Sequence, residues 1–88
     1  MEIEFLEKFN RDLDRLMNVS TKIAVRSAIT SIQDAVSLSE ILNIKKLRGF
    51  KTAYRIRIGD YRIGIFAEGD VVQFARIVHR KDIYKVFP

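Results

Sequence analysis

Apolar residues recur every three or four positions in the first half of the chain and every second position in the last half. Leu6, Phe9, Leu13 and Leu16 share one face of a helix. The other face of that helix carries Glu7, Lys8, Arg11, Asp12, Asp14 and Arg15, mixed in sign, and reads as solvated. Asn18 is placed to end it, and Ser20 or Thr21 to cap the next helix. The second helix is predicted from Thr21 to Ala35 or Val36, with Val25, Ile29, Ile32 and Val36 on its apolar face. A short link between the two predicts a helical hairpin. Ile3–Phe5 reads as a short strand ahead of them, and Leu38, Ile41 and Leu42 fit one further helical turn.

The period then changes. Lys45–Thr52 reads as a loop containing Gly49, and three strands follow. Ala53–Ile58 and Tyr61–Ala67 are separated by Gly59-Asp60. A two-residue loop with glycine first matches a type II′ hairpin, because glycine accepts the positive φ required there. Glu68-Gly69-Asp70 reads as a second turn, and Val71–Val78 as a long apolar strand near the middle of the sheet. His79–Phe87 closes the chain as a short helix or an extended tail. The order predicts one α+β domain over residues 1–88. Two helices pack on one face of a small antiparallel sheet, and the first strand is added at its edge.

Successive side chains on a strand point to opposite faces. Tyr54, Ile56 and Ile58 are therefore predicted to face the helices, with Arg55 and Arg57 on the opposite, open face. Arg62 belongs on that open face too. Tyr54 reads as core. The charge distribution sharpens this picture. Residues 1–44 carry five basic and seven acidic side chains, a net of −2; residues 45–88 carry eleven and four, a net of +7. A field of that sign attracts nucleic acid or an acidic protein. Lys45, Lys46, Arg48 and Lys51 of the loop read as phosphate-steering residues, with Arg48 also able to fasten the loop.

Composition narrows the chemistry. The chain has no cysteine and a single histidine, His79, so disulfides, thiol catalysis and a cysteine or histidine metal centre are excluded. No cofactor is expected. No apolar run is long enough to predict a membrane span, and the start Met1-Glu2-Ile3-Glu4 does not resemble a signal peptide. The expectation is a soluble cytoplasmic protein. No glycine-rich phosphate loop or serine–histidine pairing is present.

What remains is an arginine-rich surface near His79, Lys81 and tyrosines. Such a surface can promote attack of an RNA 2′-hydroxyl on its neighbouring phosphate without a metal. The task is to orient the ribose, stabilise a phosphorane and move two protons. Arginine serves the second need through fixed, multiple N–H donors. It serves the third poorly, because it does not give up its proton near neutral pH. Candidate proton carriers are His79, Tyr84, Tyr61 and Lys81. Arg76, within the last strand, can pair with a carboxylate instead of substrate.

Lys46-Leu47-Arg48-Gly49, the strand Tyr54-Arg55-Ile56-Arg57, Gly59-Asp60-Tyr61-Arg62, and the run from Arg76 to Tyr84 occur in an order and spacing that resembles the RelE/ParE superfamily of toxins from toxin–antitoxin pairs. The resemblance covers nearly the whole chain and implies a compact α+β fold with a twisted antiparallel sheet. Its RelE branch implies a toxin that cleaves messenger RNA on the ribosome, held inactive by an antitoxin protein. On that resemblance Arg55 and Arg57 match the basic pair of the strand, Arg62 the residue that holds the scissile phosphate, and Arg80 the one that stabilises the transition state or leaving group. The sequence departs from the family in two places. Arginines stand where lysines are common, and Val86 and Phe87 occupy the neighbourhood of a C-terminal tyrosine, which leaves Tyr84 as the nearest phenol. The ParE branch shares the fold and implies instead a DNA gyrase inhibitor that is not a nuclease. An RNA-binding module that has lost catalysis is a third reading.

Overall fold

The computed structural model describes residues 1–88. The elements in chain order are β1 (Glu2–Phe5), α1 (Glu7–Arg15), α2 (Val19–Asp34), a 3-10 turn (Leu38–Glu40), β2 (Ile44–Lys46), β3 (Ala53–Ile58), β4 (Tyr61–Glu68), β5 (Val71–His79) and α3 (Ile83–Val86). The strands form one sheet in the order β1-β5-β4-β3-β2. β5 is interior, as its apolar sequence implies, although β4 is the middle strand. β1 joins the free edge of the β3–β5 meander as expected, but it runs parallel to β5, so the sheet is mixed rather than antiparallel throughout.

The amphipathic patterns fold as their spacing dictates. Phe9 and Leu16 of the first pattern and Val25 and Ile32 of the second are buried with Ile56, Ile63, Ile65, Val72, Phe74 and Ile77. Phe5, Phe9 and Phe74 form a mutual ring cluster, with centroids 5.8 Å apart for Phe5–Phe9 and 5.4 Å for the other two pairs. Tyr54 and Ile58 pack against this same core, so the face assignment of β3 holds.

Several boundaries differ from the expectation, each for a local reason. α2 begins at Val19, and its cap is Asn18 rather than Ser20 or Thr21. The Asn18 Oδ1 accepts from the Thr21 N–H at 2.9 Å, which satisfies one of the unpaired donors at a helix start. The helix stops at Asp34 because Ala35 turns to extended backbone (ψ 149°). Val36 is thereby carried out of the apolar face and is 84% exposed. In the segment that follows, Ile41 is buried, whereas Leu42 points to solvent.

The loop expected over Lys45–Thr52 is shorter. Ile44–Lys46 forms a fifth strand, pairing Ile44 with Ile56, Lys45 with Arg55 and Lys46 with Tyr54. Two further turns keep their expected chemistry. Gly59 has φ 56° and Asp60 has no positive φ, as a type II′ loop requires, and Gly69 occupies the same kind of position with φ 59°.

The face opposite the two long helices is not wholly open. Leu47, Ala53, Ala75, Ile83 and Phe87 form a second buried cluster there, with Leu6, Phe66 and Val78 against it. α3 therefore covers part of the face on which the arginines stand, and no alternation in the strands announces it.

One buried charge joins the layers. Asp12, on the helix face that reads as solvated, is only 9% exposed. Its Oδ2 accepts from Arg76 Nε at 2.7 Å and from the Ile77 N–H at 3.1 Å, and its Oδ1 accepts from Arg76 Nη2 at 3.0 Å. β1 ends opposite Phe74, so Asp12 supplies an acceptor along the β5 edge where the neighbouring strand has run out. A β-bulge frees Ala75 from pairing with β4, between Phe74 and Arg76.

Candidate active site

The cross-strand register builds the site. Asn43 lies one step beyond the last β2–β3 pair, opposite Arg57, and Arg57 pairs directly with Arg62 across β3–β4. One row further, Lys45 pairs with Arg55 and Arg55 with Gly64. Residues paired across strands share a face. Lys45, Arg55, Arg57 and Arg62 therefore stand together on the face that α3 partly covers. Arg80 follows β5 and is tied to the hairpin by its backbone N–H, which donates to the Asp60 carbonyl at 2.7 Å.

The arginines sense one another. The Arg62 guanidinium is pushed below its ordinary pKa, first by partial burial and then by the charges of Arg55, Arg57 and Arg80, with Tyr84 acting weakly in the opposite sense. Arg62 thus lies within electrostatic reach of three other guanidiniums and of the Tyr84 phenol. Like charges set directly opposite each other on a sheet destabilise it, so the cluster has an unmet demand for an anion.

Neutral oxygens hold these side chains. Arg62 Nη1 donates to the Gly59 carbonyl at 2.7 Å and to the Tyr61 carbonyl at 2.8 Å, folding the guanidinium onto its own hairpin. Arg57 Nη2 donates to Asn43 Oδ1 at 3.3 Å. The Arg55 Nε is buried with no acceptor at all. A buried N–H without a partner is rare and costly.

The remaining candidates do not share one place. His79 pairs with Tyr61 across β4–β5, with an edge-to-face ring contact of 5.5 Å. Tyr61 packs on the helix-side core, so this pair lies on the face opposite Arg62. The His79 Nδ1 accepts the Lys81 N–H at 3.2 Å, which leaves the proton of the neutral ring on Nε2. Lys81, Arg48 and Lys51 are exposed, and Lys46 shares the face of Tyr54 rather than that of the arginines. Tyr84 is 65% exposed on α3. Arg76 belongs to Asp12. No three His, Asp or Glu side chains gather as metal ligands.

Asn43 is the residue of the site that sequence reasoning passes over. Its one signal is an asparagine just ahead of a basic strand, a residue type that tolerates left-handed backbone.

The chain and its fold have close counterparts. The family described as the ParE toxin of type II toxin–antitoxin systems matches residues 3–84. Toxin RelE3 of Methanocaldococcus jannaschii is 40% identical over 89 residues, covering 100% of both chains. Among solved structures, a chain of the RelB–RelE antitoxin–toxin complex from Methanococcus jannaschii superposes with a TM-score of 0.81 at 39% identity, covering 96% of this chain and 98% of that one. A chain of the archaeal RelE–RelB complex from Pyrococcus horikoshii OT3 gives 0.73 at 17% identity over 93% and 97%, which speaks for the fold alone. These findings define a toxin of a type II toxin–antitoxin pair. The chain belongs to the RelE/ParE superfamily of such toxins and is RelE-like.

Proposed function

We propose that this toxin is a metal-independent endoribonuclease that cleaves messenger RNA on the ribosome and so stops translation. The observation that carries the reading is the gathering of Arg55, Arg57 and Arg62 on one face, with Arg80 and the Tyr84 phenol within electrostatic reach of Arg62. In the reaction the 2′-oxygen attacks the adjacent phosphorus and the bond to the 5′-oxygen breaks. A 2′,3′-cyclic phosphate and a free 5′-hydroxyl result. Arg62 holds the scissile phosphate, Arg55 and Arg57 neutralise the charge that builds on its oxygens, and Arg80 stabilises the departing oxygen. Donors already in place need little reorganisation as that charge develops. One proton leaves the 2′-hydroxyl and one reaches the 5′-oxygen. Tyr84 is the proton carrier we favour, with Lys81 as the exposed alternative, whereas His79 stands on the opposite face with Tyr61.

Dependence on the ribosome fits the shape of the site. Arg57 and Asn43 border one concavity, beside the second helix, but Arg55, Arg62 and Arg80 line none of the main ones. An open basic surface holds RNA but orients it only weakly, so a rigid partner that presents the message supplies the missing order. The second partner is a cognate antitoxin. The relatives from the two archaea are seen in complexes with RelB, and an acidic segment folding over the arginines would silence them. No helix of the chain is long and apolar enough to cross a membrane, in keeping with a cytoplasmic site of action.

A second reading is inhibition of DNA gyrase, favoured by the ParE description of the matching family. Translation in vitro with primer extension on the message separates the two. Cuts that require ribosomes and persist in a metal chelator support the nuclease. Gyrase-dependent DNA breaks with an intact message support the alternative, and RNA binding without cuts identifies a catalytically silent module.

A further inference from the structure

We propose that Asn43 is a positioning residue for Arg57, holding the guanidinium in the arginine cluster without cancelling its charge. The proposal rests on the reading of Arg57 as part of the phosphate site.

Two contacts join the pair. The Arg57 N–H donates to the Asn43 carbonyl at 3.0 Å, and Arg57 Nη2 donates to the Asn43 Oδ1 at 3.3 Å. Asn43 is the one non-glycine residue at positive φ, 63°. Asparagine is among the few side chains that visit this region readily. Its place in the row is equally specific. Arg57 has Asn43 on one side and Arg62 directly opposite on the other. Repulsion from Arg62 drives the Arg57 guanidinium outward, and an exposed arginine has many rotamers to retreat into. The Asn43 amide is the only side-chain acceptor that any of the four arginines meets; the others are the Gly59 and Tyr61 carbonyls. A carboxylate at position 43 would bind the guanidinium more strongly, but it would also neutralise one of the charges that the phosphate needs. A neutral amide fixes the side chain and leaves the charge.

The test compares Asn43→Gly, which keeps the backbone conformation and loses the amide, with Asn43→Asp, which keeps an acceptor and adds charge. Single-turnover cleavage is measured on programmed ribosomes, together with the ribosome concentration for half-maximal rate. Exchange of the Arg57 side-chain N–H groups is followed by NMR in the free protein. Asn43→Gly should lower the saturated rate by about tenfold and speed rotation of the guanidinium, with the melting temperature nearly unchanged. Asn43→Asp should keep the guanidinium fixed but raise the half-maximal ribosome concentration. In an Arg57→Ala background, Asn43→Gly should have no further effect. Equal Arg57 mobility in wild type and Asn43→Gly overturns the proposal, as does a full additional loss in the Arg57→Ala background. If Arg57→Ala cleaves at the wild-type rate while Arg62→Ala does not, Arg57 is not part of the site and the role of Asn43 in the reaction falls with it. If the wild-type protein does not cut messages at all, the nuclease reading fails separately, and the NMR comparison alone decides whether Asn43 holds Arg57.

Discussion

Gly64 and Phe87 fit together because Gly64 has no side chain. A Cβ at Gly64 would stand 2.6 Å from Phe87 Cγ and Cδ2, closer than packed atoms allow. The Phe87 ring is 3% exposed and also meets Phe66, with centroids 5.0 Å apart. It is a core residue that seats α3 on the sheet, and α3 carries Tyr84, whose phenol is within electrostatic reach of Arg62. Gly64→Ala should therefore cost about 2 kcal/mol through overpacking, measured by denaturant unfolding. It should also loosen α3 and slow cleavage. A variant as stable as wild type would show that Phe87 is not seated as described.

The distance from pattern to structure is instructive here. Spacings of three to four and of two exposed both long helices, the meander and the two-faced β3, because each buries one regular face. β2 was hidden because it is three residues long and two of them are lysines; its partner strand, not its own sequence, makes it a strand. Asp12 sits amid charged neighbours, and only the exposed edge of β5 explains its burial. The arginines of β3 and β4 could be gathered by alternation alone. His79 could not be removed from them without knowing its register with Tyr61, nor could the covering of their face by Phe87 be foreseen from a chain end of uncertain conformation.

Asp12→Ala should be among the most damaging substitutions. It leaves Arg76, whose side chain is 18% exposed, without its carboxylate, and removes the acceptor from the Ile77 N–H. The hydrogen bonds that Asp12 accepts from Arg76 are also the chief reason the Arg76 pKa is raised, against the opposing effect of burial. Breaking one side of such a pair costs about 3 kcal/mol. Unfolding of Asp12→Ala, compared with Asp12→Leu/Arg76→Met, measures it. The double variant should recover part of the loss.

Glu40 makes the 3-10 turn sensitive to acid. Its carboxylate accepts from the Val36 N–H at 2.7 Å and the Ser37 N–H at 2.9 Å, and these bonds, Ser37 first, hold its pKa below the ordinary value. A depressed folded-state pKa means that the stabilisation is present above the unfolded value and is lost as pH falls through the folded one. The Val36 and Ser37 amide shifts should therefore move together on acidification, with a midpoint below that of an ordinary glutamate. Glu40→Gln should abolish the transition. An ordinary midpoint would remove the role assigned to these bonds.

Lysines of the β2 region should differ by face. Lys45 stands opposite Arg55 and Lys46 opposite Tyr54. Lys45→Ala should weaken RNA binding and flatten its log–log salt dependence by about one unit of slope, with Lys46→Ala doing less. Equal effects would mean that steering is a property of total charge and not of the arginine face.

Single-turnover cleavage on programmed ribosomes by Arg62→Ala and Arg80→Ala, with a melting curve for each, tests the central claim most directly. Tyr84→Phe, which deletes only a hydroxyl, belongs in the same series. Each arginine variant should fold within about 0.5 kcal/mol of wild type and cleave about a hundredfold more slowly, roughly 3 kcal/mol of lost transition-state stabilisation. Message cut at wild-type rates by both would contradict the assignment of this face as the active site.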